Sequence, residues 1–204
     1  MLAGASGAGK SSVGGAMFRA RGAEYYNPDE AAARLRREHP DLDQDEADSQ
    51  AWHEGRRLLE RAIAERLDYV FETTLGGKSM TAKLQEAAAL GFDVNIWFVG
   101  LASPELNIER VRAREAAGGH AVSETLIRKR YDDARKNLVL LIPFLAALRV
   151  YDNSEDGDPS EGEAPKPRLL LHMTNRKIAF ECAPEDAPEW VKPILAAARH
   201  LAVT

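Results

Sequence analysis

The chain has 204 residues, 45% of them hydrophobic and 29% charged, with a net charge of −5 and a pI near 5.6. That describes a soluble globular protein of one large domain, or one domain with a small appendage, and it disfavours a nucleic-acid-binding surface. The single cysteine, Cys182, excludes an internal disulfide framework and a multi-thiolate metal site. No apolar run approaches the ~20 residues that span a bilayer, and the start MLAGASG lacks the basic region and apolar core of a signal peptide, so a cytoplasmic address is expected.

Only Met1 to Ala3 precede GASGAGKSS over 4–12, so the first strand is expected to be very short or its start trimmed. This fits GxxxxGK[ST], with Gly4, Gly9, Lys10 and Ser11 in the fixed places. Glycines there let backbone N–H groups converge on an anion that side chains would obstruct. Gly4, Ser6, Gly7, Ala8, Gly9, Lys10, Ser11 and Ser12 are therefore candidate nucleotide contacts. Lys10 would reach the β- and γ-phosphates, and the Ser11 hydroxyl would hold Mg²⁺. The fingerprint GxGxxG of dinucleotide-binding folds is absent, because Lys10, Ser11 and Ser12 follow Gly9.

Residues 11–21 read as a helix stopped by Gly22, 23–27 as a strand, and Pro28 as the start of a helix ending near Pro40. A long amphipathic helix is expected over 45–67, with Leu58, Leu59, Ala62, Ile63 and Leu67 at helical spacing. A buried strand at 69–71 ends on Glu72, Thr73 and Thr74; a helix follows over 79–90, closed by Gly91. VNIWFV over 94–99 is the clearest central strand. Ser103–Pro104 opens a helix to about Ala117, Gly118 and Gly119 break it, and another runs from Ser123 to about Leu141. A strand follows at 148–151, an acidic Pro/Gly-rich linker or loop at 153–167, a hairpin at 168–173 and 177–182 turning at Asn175, and a last helix from about 186 to 201. Alternating strands and helices imply an α/β fold, with a mostly parallel sheet and helices on both faces, and ligands at the carboxyl ends of its strands.

That rule selects Asp29, Glu72, Thr73, Thr74, Asp152 and Asn153. Asp29 is a candidate general base or a helix-dipole carboxylate; Glu72 a candidate metal-orienting or substrate-binding acid or an exposed strand end. Thr73 and Thr74 are candidate substrate contacts. Arg110 and Arg114, four apart on one helix face, would neutralise charge on a transferred phosphoryl group from a lid hinged at Gly118–Gly119. Otherwise they form a solvated basic face. His39, His53, His172 and His200 lack metal-ligand spacing, and Trp97 reads as core.

The ordered set GASGAGKSS, NPD at 27–29, FETT at 71–74, ERVRAREAAGGHAV at 109–122, RKRY at 128–131 with NL at 137–138, and DNS at 152–154 resembles the zeta-toxin-like phosphoryltransferases, in particular the branch labelled predicted ABC-type ATPases. The resemblance covers roughly residues 1–154. It implies a P-loop kinase fold, a three-layer αβα sandwich, with a lid over about 104–136; the expected C-terminal hairpin and helix (168–204) match no toxin motif. It implies ATP and Mg²⁺ as cofactors and a small-molecule hydroxyl acceptor, in the best-known members a UDP-activated N-acetyl amino sugar, with an antitoxin as protein partner. By motif, Lys10 and Ser11 would bind ATP and Mg²⁺, Asp29 would be the base, and Glu72 and Thr74 would contact the acceptor. Arg110 or Arg114 would act from the lid, and Asp152 and Asn153 would lie near the adenine. His120 stands where toxins carry a second lid arginine, a place Arg128 or Arg130 would fill, and Lys78 is the nearest cation to an arginine that follows the acidic strand-end motif. No LSGGQ-like signature supports the ABC label, and no NKxD motif supports a GTPase. The competing readings are a nucleotide-driven switch or NTPase, a polynucleotide kinase, and a nucleotide-binding regulatory module without turnover.

Overall fold

A computed structural model describes residues 1–15, 18, 25–119, 121–155 and 166–203. One seven-stranded sheet organises it, in the order β2-β3-β1-β4-β5-β6-β7. The strands are β1 (Leu2–Ala3), β2 (Tyr25–Tyr26), β3 (Val70–Thr73), β4 (Asn95–Gly100), β5 (Ala147–Asp152), β6 (Arg168–Thr174) and β7 (Lys177–Glu181). The first five run parallel; β6 and β7 add on antiparallel. The α/β expectation with a mostly parallel sheet holds.

The helices are α1 (Pro28–Glu38), α2 (Gln44–Glu65), α3 (Lys78–Ala89), α4 (Pro104–Ala116), α5 (Glu124–Leu141) and α6 (Lys192–Ala202). Their starts are written in cap chemistry. The Asn27 side chain accepts from Asp29 N, with Pro28 next; Asp43 accepts from Glu46 N; Ser103 and Ser123 accept from Leu106 N and Leu126 N. Ser11–Gly15 forms a π-helical turn, and Gly22, the expected stop of that helix, lies outside the described residues, as do Ala23 and Glu24 of the expected second strand. The last helix begins at Lys192 rather than near 186. Pro184 and Pro188 hold residues 184–186 and 189–191 in two separate 3₁₀ turns before it. Cys182 falls one residue past β7.

The sheet is apolar on both faces, as buried parallel strands require. Ile96 and Phe98 join Leu84 of α3, Leu138 of α5 and Ile194 of α6 in the main core. Val99, one residue on and therefore on the opposite face, packs with Leu2, Ala8 and Leu101. Trp97 is half-buried beside that second cluster and tilts against Phe18 and Tyr151. Helices α1 and α2 meet through Ala31, Ala32, Ala47 and Ala51, residues small enough to bring the two backbones close. Helices α4 and α5 meet through Ile108, Val111 and Ile127. These two helix pairs stand over the carboxyl ends of the parallel strands. Among the described residues, no helix is long and apolar enough to cross a membrane.

Candidate active site

The register of β1 against β3 places Leu2 opposite Glu72 and Ala3 opposite Thr73. The glycine-rich loop leaves β1 immediately afterwards, so it emerges beside Glu72. Three neighbours fix its path. A Cβ on Gly4 (φ 148°) would lie 2.2 Å from Val99 O, one on Gly7 (φ 81°) 2.5 Å from Asn107 O, and one on Gly9 (φ 81°) 2.3 Å from Asn153 Nδ2. The loop's carbonyls are tied to the protein side: Asn107 Nδ2 donates to Ser6 O (2.7 Å), Asn153 Nδ2 to Ala8 O (3.0 Å) and Lys10 Nζ to Ala5 O (3.3 Å).

Glu72 is the hub beneath the loop. Its carboxylate lies 3.3 Å from Lys10 Nζ and accepts from Ser11 Oγ (3.3 Å), Asn27 Nδ2 (3.4 Å) and the Tyr25 hydroxyl. Lys10 and Glu72 are both buried, so each charge depends on the other for compensation.

A cavity of about 690 Å³ opens over the loop. Ser6, Gly7, Gly9, Lys10, Ser11 and Ser12 form one end of its wall; Asp29, Glu72, Thr73 and Thr74 line it, and Arg110, Arg114 and Arg130 come in from α4 and α5. Asp29 Oδ2 and Arg114 Nη1 are paired at 3.3 Å across the mouth. Beyond this pair a second hollow shares Ser11, Asp29 and Arg114 with the first. Among the described residues, the Nε and Nη2 atoms of Arg114 are buried without a hydrogen-bond partner. Arg130 Nη1 donates to Ser6 Oγ (3.2 Å). Burial pulls the Arg130 pKa below its ordinary value, against the pull of the Asp29 and Asp48 carboxylates.

The structure does not bring every expected residue into the cavity. Arg128 turns outward to Glu105 Oε1 (2.6 Å), because a residue two positions from Arg130 points to another side of α5. Lys78 is exposed at the start of α3, where Gly76, Gly77, Ser79 and Met80 line the wall instead. Asn153 is buried under the loop as a brace, and Gly4 and Ala8 lie beneath the cavity surface. His120 lies outside the described residues.

Sequence reasoning missed Asp48 and Trp52 on α2, and Leu126 and Asp133, which share the cavity-facing side of α5 with Lys129 and Arg130. Spacing of four (48, 52) and of three or four (126, 129, 130, 133) was the available signal. Among the described residues, no group of three or more His, Cys, Asp or Glu could hold a metal ion by itself.

An uncharacterized protein of Haemophilus influenzae is 32% identical over 85 residues, 42% of this chain and 61% of that relative. The crystal structure of AvrRxo1-ORF1:-ORF2 with ATP superposes with a TM-score of 0.66 at 13% identity, covering 97% of this chain and 62% of that one. The structure of the PezAT chromosomal toxin–antitoxin system of Streptococcus pneumoniae gives 0.54 at 13% identity, covering 100% and 86%. The chain thus spans about three fifths of the length of the first two relatives, and the two structures share its α/β, P-loop kinase-like fold. The model of the AAA domain matches residues 1–138, from β1 through most of α5, and the chain belongs to that family.

Proposed function

We propose that this protein transfers the γ-phosphoryl group of ATP to a hydroxyl of a small molecule. The observation that carries the reading is the Asp29–Arg114 pair, held across one cavity from Lys10 and the glycine loop. Lys10 and the loop amides would hold the β- and γ-phosphates. Arg114, two of whose donors lack a partner among the described residues, and Arg110 would meet charge developing on the transferred group. Asp29, released from Arg114, would accept the acceptor's proton. A fold neighbour crystallised with ATP is consistent with this nucleotide.

The donor set fits Mg²⁺, a hard cation that takes few protein oxygens alongside phosphates. Ser11 Oγ and the Glu72 carboxylate adjoin at 3.3 Å beside the loop, and they would hold the ion directly or through its waters. Bound there, it would neutralise phosphate charge. By resemblance, the acceptor is a UDP-activated amino sugar contacted by Glu72 and Thr74, with Thr73 beside them at the strand end, and an antitoxin-like protein is the partner class, a reading in keeping with the PezAT neighbour.

Asp29→Asn tests the assignment. It is expected to lower phosphoryl transfer at least about a hundredfold while ATP affinity stays within about twofold. Unchanged transfer would remove Asp29 as base.

A further inference from the structure

The wall that α2 and α5 give the cavity has a chemistry of its own. Trp52 lines it and is 39% exposed, whereas the indole of Trp190 is buried. An open indole in a concave wall is a stacking surface. This one is held in place: the His53 ring meets it edge-on at 4.9 Å and the Arg56 guanidinium lies 5.8 Å from its centroid. A preset ring loses little freedom when a ligand docks. Met80 and Leu126 add apolar surface to the same cavity.

Its polar groups include two carboxylates. Asp48 stands one helical turn before Trp52 and is oriented by Gln44 Nε2 (2.8 Å); Asp133 lines the wall from α5, beside Lys129. Ionised carboxylates only accept hydrogen bonds. A ligand rim here must therefore supply O–H or N–H donors. Arg130, next to Lys129 and one turn before Asp133, feels the Asp48 carboxylate as well and donates to Ser6 of the loop, so this wall adjoins the phosphate-binding end.

We infer that the acceptor presents a flat-faced ring with hydrogen-bond donors on its rim, stacked on Trp52 and bonded to Asp48 and Asp133. This deepens the phosphotransfer reading and rests on it. Two sources supply such a ring, a sugar or the heterocycle of a nucleoside.

Calorimetric titration at saturating AMP-PNP separates them, with a panel of methyl glycosides and N-acetyl amino sugars in one arm and nucleosides in the other. One arm is expected to bind. Trp52→Leu is expected to weaken that binding about tenfold or more. Asp48→Asn weakens it in the same direction, and both leave AMP-PNP affinity unchanged. Both residues are surface positions of α2, and thermal melts verify that the variants fold. Binding of neither panel at millimolar concentration, or binding untouched by both substitutions, would overturn the inference. Failure of AMP-PNP itself to bind would instead strike the phosphotransfer reading on which it rests.

Discussion

Glu72 shows how one side chain organises an anion site before the anion arrives. Its carboxylate gathers Lys10, Ser11, Asn27 and Tyr25, so the loop's cation is compensated within the protein. Replacing it with alanine leaves Lys10 buried without a counter-charge. Glu72→Ala is expected to destabilise the nucleotide-free protein by about 3–5 kcal/mol in urea unfolding, and added ATP is expected to recover part of the loss, because phosphate would replace the missing charge. An unchanged midpoint would show that Lys10 finds water or another partner. Gly4 is constrained differently: its φ of 148° and the 2.2 Å approach of Val99 O leave no room for a methyl group. Gly4→Ala is expected to cost about 1–3 kcal/mol in strain at the least and to weaken nucleotide binding by displacing the loop. Wild-type affinity in that variant would mean that the loop path is not set here. Arg128, exposed and paired with Glu105, gives the contrast. Arg128→Ala is expected to leave ATP affinity unchanged, and a tenfold loss would return Arg128 to the site.

At the scale of elements, the hairpin β6–β7 and helix α6 brace the parallel sheet from its far edge. The Trp190 ring lies against Gly100 at the end of β4, where a Cβ would come within 2.4 Å of it, and it packs beside Phe98. Trp190→Ala is expected to cost about 3–5 kcal/mol through the cavity it leaves. A drop of less than about 1 kcal/mol would show that the neighbouring segments collapse into the space. Much of this level was legible beforehand. The Asn27–Pro28, Ser103–Pro104 and Ser123 signals are local, and each caps a helix within a residue of its expected start. The start of α6 was not legible, because apolar spacing at 186–191 mimics a helix that Pro184 and Pro188 divide into 3₁₀ turns. Trp52, Asp48 and Asp133 were silent for another reason. Periodicity says that a helix has faces; only the packing of α2 on α1 through their alanines, and of α5 on α4, decides which face meets the loop.

At the scale of the whole molecule, an acidic chain of net charge −5 gathers Lys10, Arg110, Arg114, Lys129 and Arg130 around one cavity. Strand order does this: with β1 between β3 and β4, the glycine loop, the β3 end and the two helix pairs converge on one rim. The motif order along the chain anticipated the convergence, but not that Arg130 rather than Arg128 faces inward. The most direct measurement is calorimetric titration of Mg·AMP-PNP into the full chain and into its Lys10→Ala variant. One equivalent should bind to the wild type, with affinity falling about tenfold or more in the variant. No binding at millimolar nucleotide, or equal binding by both proteins, would contradict a phosphate-binding role for the loop.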